Sequence, residues 1–474
     1  MSKWIWRGIL AIVGTYLVVA GISRHIHMNR LAHDLRYGTH ARQVAAAKEL
    51  MVRDRLYDKV QEMPKKTRIA VMEAVQAVPG ELTVKQSLIL LKDTEPTVRA
   101  RVTQILTLHG KYHIKVLVPA MKDSDENVRN GAKDSLVGIG SKVIPLVQPA
   151  VKEADLRVAA CDVLVRIGEP SVLPLIELLT FPDQDVRMAV AASLGKIASK
   201  TATMDLLKAT RDVQAVRRVA ISSLCSICDP RSTDLLVEVL SQTRDDGEVR
   251  ARSARALSVI GGPKAIATLT GALGDLDLKV RTSVISGLQR IGAPAVKPVM
   301  AAISSGSSDV RRAGAAVMER IDSPEAVPPL LQLARHADPK IRASAARGLG
   351  FQSTGTRADV LVSMLSDPQA DVAKAAEDSL AHMEERAVPS LISVLKSASP
   401  DVAKYRASQA LARIGSEAVP SLLATAGAGG EAAKWAAYAL GRSRDPEARP
   451  ALERLVSASD PDLARVARQA LNRF

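Results

Sequence analysis

The sequence predicts an all-α fold: a right-handed α-solenoid of about thirteen antiparallel helix pairs, preceded by an N-terminal hydrophobic helix. Two observations support this prediction. An apolar residue, usually Val followed by Arg, returns every 28 to 33 residues along most of the chain. Only 3% of the residues are aromatic, and Ala, Val, Leu and Ile dominate, a mix that suits small, tightly stacked helices. We therefore expect no strands.

Each repeat has the same order of features, which residues 172–195 show in full. A first helix with an early proline leads to a turn with Asp, and a second helix then starts near a Val-Arg pair and ends at glycine. Counted from that Val, apolar residues fall at positions 0, 4, 7, 8 and 11, which is one helical face. The predicted anchor residues are Val98, Val128, Val158, Val186, Val216, Val249, Val280, Val310, Ile341, Val372, Val402 and Leu463, with a weaker copy at Ala432.

On these residues the chain resembles the HEAT repeat superfamily, in particular its short bacterial variant related to the repeats of phycobilisome lyases. The resemblance covers about residues 65–474 and implies an armadillo-like helical fold, but it leaves the function open. We predict three segments: residues 1–23 as a membrane anchor or signal segment, residues 24–64 as a juxtamembrane helix with a degenerate capping unit, and residues 65–474 as the solenoid.

The amino-terminal segment has an uncharged run from Gly8 to Ser23. A helix over this run is roughly 24 Å long, so a membrane span also needs the residues before it. Arg24 and Arg30 oppose translocation and favour a single-pass anchor in the cell membrane over a signal cleaved after Ala20 for export. The side of the membrane stays open. The residues predicted to anchor the chain in the membrane are Trp4, Trp6, Leu10, Ile12, Tyr16 and Leu17.

Enzymes that resemble this repeat require residues that we do not find here. Deoxyhypusine hydroxylases carry adjacent His-Glu pairs that bind two irons, and no His-Glu dipeptide occurs in this sequence. Bilin lyases share the repeat but offer no catalytic residue that can be transferred. We therefore expect no enzyme, no cofactor and no metal. An enzyme of either type remains an alternative, as does a sequence-independent nucleic-acid binder, because the formal net charge is +15.

Two other motifs have structural interpretations. Cys225 and Cys228 lie at the end of a predicted second helix, where the dipole does not favour a thiolate, so we expect structural residues and not a redox pair. His109 and His113 flank Gly110, which argues against a metal site. The Arg that follows each anchor is predicted to pair with a turn Asp of a neighbouring repeat.

The candidate site lies on the last four second helices. Cations recur two positions after the anchor, and aromatic residues stand beside them in two neighbouring repeats. Because aromatic residues are scarce in this chain, their clustering with cations indicates a surface that binds a protein or an acidic peptide. The predicted protein-binding residues are Lys374, Lys404, Tyr405, Lys434, Trp435, Tyr438 and Arg465.

Overall fold

The computed structural model describes residues 3–53, 55–78, 80–110, 114–242, 246–353 and 358–474, with the side chains of residues 3–19 and 82 excepted. The described residues form α-helices joined by short turns and 3-10 segments, and they contain no strand. This confirms the predicted all-α fold. The helices divide into two compact units, Met1–Ile227 and Cys228–Phe474.

The first unit contains fourteen α-helices in the described residues. In chain order they are α1 (Lys3–Tyr37), α2 (His40–Val52), α3 (Leu56–Gln61), α4 (Lys65–Gln76), α5 (Glu81–Leu90), α6 (Pro96–Gly110), α7 (Ile114–Ala120), α8 (Glu126–Ile139), α9 (Ile144–Val147), α10 (Arg157–Ile167), α11 (Val172–Glu177), α12 (Gln184–Ile197), α13 (Thr203–Ala209) and α14 (Gln214–Ile227).

The second unit contains sixteen more among its described residues. They are α15 (Thr233–Ser241), α16 (Gly247–Ile260), α17 (Gly262–Gly271), α18 (Leu278–Ile291), α19 (Ala293–Ser305), α20 (Ser308–Met318), α21 (Val327–Leu333), α22 (Pro339–Phe351), α23 (Ala358–Met364), α24 (Ala370–His382), α25 (Val388–Lys396), α26 (Asp401–Ile414), α27 (Val419–Gly427), α28 (Gly430–Ser443), α29 (Arg449–Leu455) and α30 (Pro461–Leu471).

Helix α1 is 35 residues long, about 52 Å at the usual rise per residue. Its carboxyl-terminal part packs against α2 and buries Leu31 and Leu35, whereas Ile22 and Ile26 are exposed. Across the residues that the structure describes, no helix is both long and apolar enough to cross a membrane. The side chains of the predicted anchor lie outside the described residues: Trp4, Trp6, Leu10, Ile12, Tyr16 and Leu17.

From α6 onward, the even-numbered helices are the second helices of the repeats. Within each unit they pack on one another in chain order, for example α12 on α14, α22 on α24 and α26 on α28. In most of these helices the third residue is the anchor, as in Val186, Val280 and Ile341, all of which are fully buried. The apolar stripe is therefore removed from water by stacking, as expected for repeat proteins.

Three predicted anchors are wrong, because the buried residue of the stripe lies one or two positions from the predicted one. Val158 is 82% exposed, and Leu156, just before α10, is buried in its place. Val402 is 58% exposed, and Ala403, the third residue of α26, is the buried anchor. In α28 the fully buried residue is Ala433, one position after the predicted Ala432.

The ends of the second helices follow the predicted turn chemistry. Gly140 and Gly292 follow their helices with φ angles of 82° and 75°, a backbone conformation that glycine adopts without steric cost. Cys228 follows α14 with a φ of 52°. It therefore occupies the place of the usual glycine, as the sequence indicated.

Arginines at the position after the anchor connect neighbouring repeats. Arg342 on α22 donates from Nε and Nη2 to the Oδ2 and Oδ1 atoms of Asp367 at 2.8 and 2.9 Å. Its Nη1 donates to the carbonyl oxygens of His336 and Ala337 in its own turn, at 2.9 and 3.0 Å. One guanidinium thus joins the turn of its own repeat to the turn of the next. We call this arrangement the inter-repeat clamp.

The clamp recurs in both units and confirms the predicted Arg–Asp pairing at Arg187, Arg250 and Arg342. The arginines that instead donate to carbonyl oxygens of their own turns are Arg99, Arg129, Arg281 and Arg311. Arg187 repeats the clamp with Asp212, and the carboxylate of Asp212 also accepts from the Val213 amide. The hydrogen bond from each arginine lowers the pKa of its carboxylate partner, both at Asp212 and at Asp367. The cation–carboxylate pairs in equivalent places are Arg68–Asp93, Arg157–Asp183, Arg187–Asp212, Arg250–Asp275 and Arg342–Asp367.

We predict that Arg342→Ala lowers the free energy of unfolding by about 1.5–3 kcal/mol, because the half-buried Asp367 loses two charge-assisted hydrogen bonds. A double-mutant cycle with Asp367→Asn, monitored by urea unfolding, measures the coupling energy between the two side chains.

The same pair makes the stability depend on pH. Since the folded-state pKa of Asp367 is lowered, the contribution of Asp367 to the free energy of unfolding is complete above the ordinary carboxyl pKa of about 4 and disappears as the pH falls further. Asp367→Asn should therefore show a smaller loss of stability on acidification. Additive single effects would contradict the clamp.

Candidate protein-interaction surface

Three aromatic side chains meet on the second helices of two neighbouring repeats. Tyr405 lies on α26, and Trp435 and Tyr438 lie on α28. The centroid of the Tyr438 ring is 5.8 Å from that of Tyr405 and 6.5 Å from that of Trp435. Tyr405 is 45% exposed, and the other two rings are half-buried. We call these three residues the aromatic patch.

The repeat itself explains why these rings come together. Tyr405 and Trp435 each lie two positions after the buried anchor of their helix, Ala403 and Ala433, so the packing of α26 on α28 sets them side by side. Tyr438 lies three residues after Trp435, on the same face of α28. The structure thus brings the three predicted aromatic residues together on one surface.

Buried and half-buried polar groups fix the orientation of two of the rings. Gln409, which is only 8% exposed, donates from Nε2 to the Tyr438 hydroxyl oxygen at 2.9 Å. The Tyr438 hydroxyl therefore acts as an acceptor within the chain and keeps its own proton for an outside acceptor. The guanidinium carbon of Arg473 lies 5.2 Å from the centroid of the same ring.

The side chain of Trp435 is held through a second route. Glu431 accepts hydrogen bonds from Lys404 and from Trp435, and the bond from Lys404 is the main reason that the pKa of Glu431 is lowered. The distance from the Lys404 Nζ to the Glu431 Oε1 is 2.8 Å. Lys404 is thus a positioning residue for the indole ring.

The predicted row of lysines has a different role from the one expected. Lys404 is only 5% exposed, and Lys434 pairs with Asp460 at 3.1 Å. Because the anchors in these helices are Ala403 and Ala433, both lysines occupy the clamp position that arginine fills elsewhere. They are therefore bound to the next repeat and are not free cations directed at a ligand.

The two other predicted cations also have partners within the chain. Lys374 lies 2.7 Å from Glu377 and 3.0 Å from Asp378, and the hydrogen bond to Glu377 is the main reason that its pKa is raised. Arg465 lies 3.2 Å from Asp462. The aromatic rings are therefore the main feature of this surface that is not taken up by ion pairs within the chain.

Gln409 and Arg473 belong to the surface, and the sequence analysis missed both. Gln409 gave a weak signal, since it is a polar residue four positions after Tyr405 on a helix that is otherwise rich in alanine. Arg473 lies ten positions after the Leu463 anchor, as Arg290 does after Val280. This repeat position gave no sign of a contact with Tyr438.

The other candidate residues are only partly described. His109 hydrogen-bonds to the carbonyl oxygen of Gln76 at 2.7 Å, whereas His113 lies outside the described residues. The described part of the chain contains no group of three His, Cys, Asp or Glu residues that could hold a metal ion. Cys161, Cys225 and Cys228, all within the described residues, form no disulfide. Burial raises the pKa of the Cys161 thiol.

Comparison with known proteins identifies the repeat. A family model described as HEAT repeats matches residues 151–225, 204–289, 233–316, 296–381 and 388–472. No curated protein sequence matches the chain at a significant level.

Several solved structures resemble the chain at low sequence identity. A structure of Kap121p is 12% identical over 94% of this chain and 56% of its own, with a TM-score of 0.45. The karyopherin Kap121p bound to the extreme C-terminus of the protein phosphatase Cdc14p is 12% identical over 96% and 57%, with a TM-score of 0.48. A structure of the Kap95:Nup1 complex is 12% identical over 94% of this chain and 72% of its own, with a TM-score of 0.45. The chain thus spans little more than half the length of Kap121p.

We predict that Lys404→Glu lowers the melting temperature by several degrees, because it sets a second carboxylate against Glu431 at a buried position. Tyr405→Ala, at the next residue, should leave the melting temperature almost unchanged, since that ring is 45% exposed. Thermal unfolding followed by circular dichroism compares the two variants. Equal melting temperatures for the wild type and Lys404→Glu would show that Lys404 is an ordinary surface cation.

Proposed function

The chain belongs to the HEAT repeat family, and we propose that it is an interaction scaffold that binds a protein partner through the aromatic patch. One observation carries this proposal. Tyr405, Trp435 and Tyr438 form a partly exposed aromatic cluster in a chain that has few aromatic residues. Buried Gln409 and the Lys404–Glu431 pair hold two of the rings in place.

The chemistry of the patch supports a macromolecular partner. Tyrosine and tryptophan are enriched at the centres of protein interfaces, because each offers a large contact area with little side-chain freedom to lose. Rings that are already oriented lose even less on binding. Clamped lysines around the patch add rigidity. The second helices α24, α26, α28 and α30 together contain eight basic residues against six acidic ones, and this small excess favours an acidic partner segment.

We propose in addition that the amino-terminal segment anchors the chain in the cell membrane as a single span. The support comes from the sequence: an uncharged run from Gly8 to Ser23, preceded by Trp4 and Trp6, which suit the membrane interface. The alternative is export after cleavage of this segment as a signal peptide.

Cross-linked pull-down from solubilised native membranes tests the binding proposal. We compare the wild-type chain with a variant that carries Trp435→Ala and Tyr438→Ala, and with Phe351→Ala as the matched control. Phe351 is 41% exposed, close to the value for Tyr405, and lies on α22, outside the patch. We expect a protein partner that the wild type and the control recover and that the patch variant recovers about tenfold less well. Equal recovery by all three chains would overturn the proposal.

Alkaline carbonate extraction of membranes tests the anchor. The wild-type chain should stay in the membrane pellet, and a variant with Ile12→Arg and Leu17→Arg should be released, because each charge at the centre of a span costs about 2.5–3.5 kcal/mol. Ile26→Arg, at an exposed position further along α1, is the control and should stay in the pellet. Release of the wild-type chain would refute the anchor, and a new amino terminus after Ala20 would establish the signal peptide instead.

A further inference from the structure

We infer that the aromatic patch binds an extended acidic segment in the polyproline II conformation, with proline at every third residue. This inference rests on the proposed function and names the class of partner segment that the same surface takes. Three properties of the described residues lead to it: the spacing of one row of side chains, the hydrogen-bonding capacity of the patch, and its charge.

The row runs along the second helices with one residue per repeat. Each member lies two positions after the anchor of its helix, and neighbouring members are 30 or 31 residues apart in the sequence. The row comprises Lys374 on α24, Tyr405 on α26, Trp435 on α28 and Arg465 on α30. Consecutive helices of this set pack directly on each other, so a segment lying along the row meets a cation, two aromatic rings and a second cation in turn.

The spacing of the helices selects the conformation of the ligand. Packed helices lie about 8–10 Å apart. A polyproline II helix rises about 3.1 Å per residue with three residues per turn, so it presents the same face about every 9 Å. An α-helix returns about every 5.4 Å and a β-strand about every 6.7 Å. Of these three conformations, only polyproline II offers an equivalent side chain to each successive helix of the row.

Hydrogen bonding points to the same ligand. Proline has no backbone N–H, so a proline ring can pack on Tyr405 or Trp435 without leaving a donor unsatisfied. The carbonyl groups of a polyproline II segment make no internal hydrogen bonds and are free to accept. Tyr438, whose hydroxyl oxygen already accepts from Gln409, retains its proton to donate to such a carbonyl.

The net charge of the surface indicates which residues of the ligand lie between its prolines. Helices α24, α26, α28 and α30, which carry the row, together contain eight Lys and Arg residues against six Asp and Glu residues, a net charge of +2. Much of this charge is paired within the chain, but the excess remains, and Arg473 adds to it beside Tyr438. A segment that carries Asp or Glu between its prolines complements this potential, whereas a basic segment is repelled.

The experiment measures the anisotropy of fluorescein-labelled synthetic peptides bound to the full-length chain. The probe is a twelve-residue peptide of four Asp-Pro-Ala repeats. Three comparison peptides change one property each: alanine replaces every proline, lysine replaces every aspartate, or the same residues are rearranged so that no two prolines are three apart. We expect each comparison peptide to bind about tenfold or more weakly than the probe, since each loses the ring contacts, the charge or the spacing.

Variants of the chain locate the site of binding. Tyr405→Ala and Trp435→Ala should each weaken the probe about tenfold, and Tyr438→Phe, which keeps the ring and removes the hydroxyl proton, should weaken it by about three- to tenfold. Phe351→Ala should leave the affinity unchanged. Thermal unfolding of each variant confirms that the chain remains folded. An affinity for the probe that Trp435→Ala does not alter would refute the inference.

The remaining outcomes separate this inference from the proposed function. If the pull-down recovers a partner through the patch but the rearranged peptide binds as well as the probe, or neither binds, the polyproline II segment is wrong and the scaffold stands. A twelve-nucleotide oligothymidylate is tested in parallel, because single strands also stack on aromatic rings beside cations. If it binds more tightly than the probe and Trp435→Ala removes that binding, both the inference and the protein-binding function are overturned.

Discussion

The inter-repeat clamp is the interaction on which the rest of this structure depends. A helix pair of this size buries only one stripe of each helix, so a repeat has no closed core of its own and needs a neighbour in a fixed position. Apolar stacking supplies most of the driving force but little direction. The guanidinium of Arg342 or Arg187 supplies direction, because its planar donors meet a carboxylate of the next repeat and the carbonyl groups of its own turn at the same time.

The clamp also determines which charges are available to a ligand. A basic residue at the position after the anchor is held within the solenoid. Its partner is a carboxylate of the next repeat, as for Lys404 and Lys434, or a carbonyl oxygen of its own turn, as for Arg129 and Arg281. Positive charge in this chain is therefore weaker evidence of a binding surface than the formal total of +15 suggests. Half-exposed aromatic rings that do not connect one repeat to the next are stronger evidence of a binding surface, and Tyr405 and Trp435 are the clearest examples.

Structure and recognition are linked through the same residues at the aromatic patch. Lys404 joins two repeats through Glu431, and Glu431 in turn accepts from Trp435. Gln409 uses a buried position on α26 to hold Tyr438 on α28. A surface built in this way is rigid because it belongs to the packing between repeats, and rigidity reduces the entropic cost of binding an extended segment.

The sequence by itself determined the all-α repeat fold, the turn chemistry and the aromatic members of the surface. Each of these follows from local periodicity: an anchor about every thirty residues, a glycine or Cys228 after the helix, and aromatic residues at matching positions of adjacent repeats. Only the tertiary structure decided which residue of each second helix is buried as the anchor and which basic side chains are paired within the chain. Val402 looks like an anchor, but α26 begins at Asp401 and buries Ala403 instead. That shift of one residue moves Lys404 into the clamp and Tyr405 into the outer row. Local patterns do not resolve such a shift, because Val402 and Ala403 are both apolar and only the packing of the folded chain shows which of them is buried.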